Sequence, residues 1–143
     1  MIYRKMLIED YENVYALWTN CDGIGLNNLD DSKEGIDKFL KRNPDTCFVA
    51  EDGGIIVGAI MVGNDGRRAY IYHTAVHPSK RKLKIAGKLV ACAMEELALL
   101  GINKAALVVF DTNEVGNAFW ESQGFSVRSD LVYRNKLVSK KEM

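Results

Sequence analysis

Lys80, Arg81, Lys82, Lys84 and Lys88 put five positive charges within nine positions, directly after the run Tyr70 to Val76 and the turn His77-Pro78. The run reads as a strand and the stretch after Leu83 as an amphipathic helix. A strand end, a helix N-terminus and a cationic cluster therefore converge. The first N–H groups of a helix have no partner within it, and the helix dipole favours negative charge there. Lysine and arginine add charge-assisted donors. These residue types in this order suit a phosphate-bearing ligand; without one they are a solvated, basic helix start.

The elements that must position this cluster follow from periodicity and turn chemistry. Ile2 to Met6 reads as a first strand. Asp10 caps a helix in which Tyr11, Val14, Trp18 and Cys21 recur at helical spacing. After a Gly- and Asn-rich loop from Asp22 to Asp30, Asp31 and Glu34 form a capping box for a second helix carrying Ile36, Phe39 and Leu40. Cys47 to Glu51 and Ile55 to Gly63 read as strands joined by the Asp52-Gly53-Gly54 turn. Asn64-Asp65-Gly66 leads into the strand Ala69 to Val76. A long third helix spans about Leu83 to Leu100, with Gly101 as its stop. Ala105 to Phe110 reads as a buried strand and Val115 to Gln123 as a fourth helix; Phe125 to Val127 and Val132 to Val138 read as final strands. This order predicts an α/β (α+β) domain, a mixed sheet with helices packed on it. The strand–long helix–strand portion is a right-handed crossover, which places a ligand at the strand's C-terminal end.

Composition narrows the ligand. With 143 residues, one domain is expected, spanning 1–143. Lys+Arg and Asp+Glu both number 19, so the basic cluster is local and suits a small anionic ligand better than nucleic acid. The three cysteines, Cys21, Cys47 and Cys92, have no metal-like spacing and fit a reducing, cytoplasmic compartment; no metal is expected. No window approaches the ~20 apolar residues of a membrane span, and the N-terminus opens no long apolar run.

Val76-His77-Pro78 followed by Arg81-x-x-Lys84-x-Ala86 resembles the acyl-CoA signature of the GNAT N-acetyltransferase superfamily, V-x-P and then Q/R-x-x-G-x-G/A at the mouth of a long helix. Asn113 lies seven residues before Trp120, and with Glu121-Ser122-Gln123-Gly124-Phe125 it is similar to that family's N-x(6)-[YFW]-x(3)-G-F ending. Both blocks stand at the family's usual separation. The chain most resembles the small single-domain bacterial acetyltransferases, with Leu17-Trp18-x-x-Cys21-Asp22 in its first helix. The resemblance implies a mostly antiparallel sheet of six to seven strands with a splayed central pair and four helices. It implies acetyl-CoA as co-substrate and transfer to a primary amine of a small molecule, peptide or protein. Ala75 and Val76 would hold the pantetheine arm as an added strand does. The N–H groups of Arg81, Lys82, Leu83, Lys84, Ile85, Ala86 and Gly87 would cradle the pyrophosphate. Asn113 and Trp120 would meet the pantetheine and the thioester end. The protein would act as a monomer or homodimer.

Against that pattern, Lys82 and Lys84 stand where glycines are usual, and Trp120 stands where many relatives carry a tyrosine that protonates the departing thiolate. Indole N–H is no useful acid, so Tyr133 is the substitute on offer. The attacking amine must also lose a proton. The family often has a glutamate at or near Tyr70 or Tyr72, but no carboxylate occurs between Arg67 and Val76. His73 is the alternative base there, a histidine's ordinary pKa being near neutrality. Strand alternation puts Tyr70, Tyr72 and Thr74 on one face and His73 on the other, unless a bulge changes the parity. Asp22, Asp30 and Asp31 would attract a cationic acceptor, or serve only as turn and cap residues. Missing carboxylate, missing tyrosine and replaced glycines also fit a second reading, a CoA-binding sensor or partner module that does not turn over.

Overall fold

The computed structural model describes residues 1–81 and 84–139. Its strands are β1 (Ile2–Lys5), β2 (Phe48–Asp52), β3 (Ile55–Asn64), β4 (Ala69–Val76) and β5 (Ala105–Ala106), and its helices are α1 (Tyr11–Thr19), α2 (Lys33–Arg42), α3 (Ile85–Leu99) and α4 (Glu114–Ser122). The sheet runs in the order β1-β2-β3-β4-β5, antiparallel up to β4 and parallel between β4 and β5.

Each helix buries one stripe. In α1 this is Val14, Leu17 and Trp18, and in α2 it is Ile36 and Leu40; both pack on one face of the sheet with Val49, Ala59, Met61 and Ala75. On the other face, α3 packs Ile85, Leu89, Ala93 and Leu97 against Val57, Ile60, Val62 and Ile71, and Phe119 and Trp120 of α4 join that cluster at its edge. Gly58 makes the close seating of α3 feasible. A Cβ there would stand 2.9 Å from Ile85 Cγ2 and 3.1 Å from Leu89 Cδ1, so the missing side chain lets the first turn of α3 lie against β3 beside Val76, the partner of Gly58 across the ladder.

Three expectations need correction. Ser32 rather than Asp31 caps α2: its hydroxyl accepts the Gly35 N–H at 3.0 Å, and the Asp31 carboxylate is occupied elsewhere. Asp10 stands at the start of α1 but makes no cap bond into it; its carboxylate instead accepts the Leu7 N–H and pairs with Arg4. The sheet has five strands, not six or seven. β5 ends at Ala106, and neither 125–127 nor 132–138 has a strand partner among the described residues. Apolar alternation makes a strand only where a neighbour offers backbone groups to pair with, and Val108, Phe110, Val127 and Val132 stay exposed beyond the point where β5 leaves β4.

Arg4 ties the start of the chain to the sheet. Its guanidinium donates to both Asp10 oxygens, at 2.7 and 2.8 Å, and to Glu51 on β2. Burial pushes the Asp10 carboxyl upward, but the Arg4 hydrogen bonds and the Leu7 N–H outweigh it and hold the group below the ordinary carboxylate range. A depressed folded-state value means stability that is present above the unfolded pKa of ~3.9 and is lost as pH falls through the folded one. Arg4→Met should therefore cost about 2 kcal/mol in urea denaturation at pH 7, less than a fully buried pair because Arg4 is part-exposed. The gap from wild type should shrink below about pH 4. An unchanged gap at pH 3 would show that the cost is lost packing rather than lost charge.

Candidate active site

β4 and β5 pair only at Ala69–Ala105 and Tyr70–Ala106. Beyond that they diverge, and a cleft of about 1670 Å³ opens between Ile71–Val76 on one side and residues 107–111 on the other. The start of α3, the first two turns of α4, the loop from Cys21 to Gly25 and Tyr133 also line it. This is the splayed strand pair, and the outer edge of β4 from Ile71 onward has no strand partner among the described residues.

At the mouth of the cleft, Lys84 is the N-cap of α3 and no side chain caps the helix. The first turn closes with Lys88 N–H to the Lys84 carbonyl at 3.2 Å. The N–H groups of Ile85, Ala86 and Gly87 thus have no partner among the described residues, and all three residues line the cleft. The surrounding cations are partly spoken for. Lys80 pairs with Asp52 at 3.0 Å, Arg81 Nε donates to the Val76 carbonyl at 3.3 Å, and Lys88 lies over the Tyr3 ring. The Lys84 ammonium has no partner among the described residues. Lys82 and Leu83 lie outside the described residues.

Across the cleft, Asn113 caps α4: its Oδ1 accepts the Gly116 N–H at 2.9 Å. Trp120 lies one helical stretch further on, edge-to-face with Phe119 and Phe125 and half in the core. Both line the cleft.

The chemistry of β4 depends on a bulge. Ile60 faces Thr74 while Val62 faces Ile71, so β4 carries one residue more than β3 over this interval. Ile71 consequently packs towards α3 and Ala75 towards α1 and α2, although four positions would keep them on one face of a regular strand. Tyr72 and His73 are adjacent yet face the same side. Tyr72 meets Phe39 of α2 edge-on at 5.5 Å, and His73 meets Trp18 of α1 at 4.9 Å. The strict alternation expected for Tyr72 and His73 is therefore corrected.

His73 Nε2 lies 2.7 Å from Asp31 Oδ1, with side chains only 17% and 5% exposed. Asp31 Oδ2 accepts the Asn27 N–H at 2.9 Å. His73 lines the cleft, as do Tyr70, Tyr72, Tyr133, Cys21 and Asp22. Burial raises the pKa values of Tyr70 and Tyr72, with further contributions from Tyr133 and Tyr72 for the first and from Asp30 and Tyr133 for the second. These hydroxyls stay protonated at neutral pH. Asp30 is exposed, is absent from the cleft wall and accepts from Asn27 Nδ2 at 3.3 Å. The structure thus brings Ala75, Val76, Arg81, Lys84 to Gly87, Asn113, Trp120, His73, Tyr72, Tyr133 and Asp22 to one cleft. Sequence reasoning missed Asp31 as a partner of His73 and Cys21, whose thiol donates to the Val76 carbonyl at 3.5 Å. No local signal links residues so far apart in the chain.

The model of the acetyltransferase (GNAT) family matches residues 11–125. The chain belongs to that family. An acetyltransferase of Sodalis glossinidius is 33% identical over 128 residues, covering 90% of this chain and 89% of that protein. The PaiA N-acetyltransferase of Thermoplasma acidophilum, solved in complex with coenzyme A, superposes with a TM-score of 0.77 at 22% identity, over 89% of this chain and 90% of that one. The diaminobutyrate acetyltransferase EctA of Paenibacillus lautus, in complex with L-2,4-diaminobutyric acid and coenzyme A, gives a TM-score of 0.71 at 25% identity, over 85% of this chain and 72% of that one.

For a GNAT chain, the departure at Lys84 has a conformational consequence. Lys84 sits at φ 61°, ψ 22°, and it alone among the described non-glycine residues has a positive φ. The left-handed region crowds Cβ against the following carbonyl and costs an L-residue about 1–2 kcal/mol, which glycine avoids. Lys84→Gly should raise stability by about 0.5–1 kcal/mol, once the greater freedom of glycine in the unfolded chain is set against the relief of strain. Thermal melts should show a rise of about 2–5 °C; a fall would mean that the lysine side chain contributes more than its backbone costs.

Proposed function

We propose that the chain, working as one N-acyltransferase domain, transfers the acetyl group of acetyl-CoA directly to a primary amine of a small molecule, peptide or protein. The observation that carries this reading is the uncapped N-terminus of α3 opening beside the unpaired edge of β4 in one cleft. Backbone groups of Ala75 and Val76 would pair with the pantetheine amides as a strand would. The N–H groups of Ile85, Ala86 and Gly87, with Arg81, the preceding turn residues Lys82 and Leu83, and the Lys84 ammonium, would hold the pyrophosphate. Asn113 and Trp120 would flank the arm towards the thioester. Coenzyme A bound to the Thermoplasma enzyme, and coenzyme A with a diamine acid bound to the Paenibacillus enzyme, support the pairing of this donor with an amine acceptor.

In this reading His73 takes the amine proton. The amine nitrogen forms its bond to the acetyl carbon as the carbon–sulfur bond breaks, and a backbone N–H near Val76 holds the oxyanion. Tyr72 or Tyr133 protonates the departing thiolate. Asp22, on the cleft wall, and Asp30, close enough to Tyr72 to affect its hydroxyl, would draw a cationic acceptor. Direct transfer is favoured over an acyl-cysteine route: Cys47 and Cys92 do not line the cleft and burial raises both thiols, Cys47 to about 12, while the Cys21 thiol on the cleft wall is engaged with the Val76 carbonyl. Three free cysteines support a cytoplasmic enzyme.

The test is thiol release from acetyl-CoA against a panel of amines, preceded by a thermal shift. Acetyl-CoA at 100 times its Kd should stabilise by about 2.7 kcal/mol. His73→Gln should lower kcat by about 100-fold or more while the acetyl-CoA shift persists. Stabilisation by acetyl-CoA with no turnover of any amine would make the chain a CoA-binding module instead.

A further inference from the structure

We infer that Asp31 is the positioning residue for proton transfer: by accepting the Nε2–H of His73 it selects the tautomer whose bare Nδ1 takes the proton of the acceptor amine. The inference rests on the reading of His73 as the base. Four observations carry it. The 2.7 Å contact commits Nε2, and no described group bonds Nδ1. His73 lines the cleft while Asp31 does not, so the carboxylate sits behind the ring. Trp18, itself almost fully buried, meets the ring edge-to-face at 4.9 Å and limits its rotation. Finally, Asp31 is freed from helix capping by Ser32, yet it is 5% exposed. A buried carboxylate is costly unless its oxygens are bonded. Here one oxygen accepts the Asn27 N–H and the other faces His73.

The chemistry follows from tautomer logic. A carboxylate only accepts, so the nitrogen facing it must carry the proton, and the remaining ring nitrogen keeps its lone pair. When Nδ1 takes the amine proton, the imidazolium is paired with a carboxylate already in place. The proton leaves the amine and stays on His73 until solvent, or the tyrosinate left when the thiolate is protonated, takes it up. Other ionisable groups near the ring are Tyr72 and Cys21 on the cleft wall and Tyr11, whose hydroxyl donates to the Asp31 carbonyl.

The chain has two histidines, so a His77→Asn background leaves a single ring to observe by long-range ¹H–¹⁵N NMR. In that background the neutral His73 ring should show the Nε2–H tautomer. Asp31→Asn presents an amide that donates towards Nε2, so the ring should switch to Nδ1–H. With His77 intact, Asp31→Asn should lower kcat about 10²–10⁴-fold with little change in KM for acetyl-CoA. A tie that only anchors the loop would lower stability and leave the tautomer and kcat alone. An Nδ1–H ring with Asp31 present overturns the inference whether or not the Asp31 variant folds. So does wild-type kcat in a folded Asp31→Asn protein when His73→Gln is inactive. Wild-type kcat in His73→Gln overturns the base reading itself, and the tautomer spectrum still reports separately whether Asp31 sets the ring.

Discussion

The hydrogen bonds between β4 and β5 stop after two residue pairs. From Ile71 onward, β4 presents an edge with no strand beside it among the described residues. Backbone N–H and C=O groups carry a strong demand for partners, and an open edge is a template for whatever extended chain can reach it. In this protein that edge faces a cleft whose other walls include α4 and the first turn of α3. An amide-bearing arm that ends in phosphates meets both requirements, pairing along the edge and presenting its anion to the helix N-terminus. The site is therefore a consequence of incomplete sheet closure as much as of any side chain.

Holding α3 close enough is a packing problem, solved on β3. Gly58 removes a Cβ that would collide with Ile85 and Leu89, and that seating sets where the open N–H groups lie relative to Val76. Lys84 bears the conformational cost at the same junction, in a left-handed conformation better suited to glycine. A cationic side chain at a strained position beside open helix N–H groups is the pattern expected where function and stability pull apart.

The bulge in β4 arranges one end of the cleft as Gly58 arranges the other. One inserted residue turns Tyr72 and His73 to the same face, where α1 supplies Trp18 and the loop before α2 supplies Asp31. The strand carries no carboxylate of its own. The charge that accompanies its histidine comes from the chain on the opposite side of the cleft wall.

Sequence alone determined the helices and the strands up to Val76, because hydrophobic period and glycine turns are local signals. It placed Ala69 to Val76 and the basic turn before α3, since a helix N-terminus beside a strand end is written in consecutive residues; Asn113 and Trp120, which the family resemblance supplied, line the same cleft. Asp31 read as a capping residue because aspartate before Lys33 is a sensible cap; only in three dimensions does Ser32 take that role and free it. The segments 125–127 and 132–138 read as strands because alternation is visible in sequence while the availability of a partner edge is not. The strand-face assignment of His73, its pairing with a residue 42 positions away and the left-handed backbone at Lys84 were decided by tertiary structure. Each depends on register and on distant packing, and neither leaves a trace in the identity of neighbouring residues.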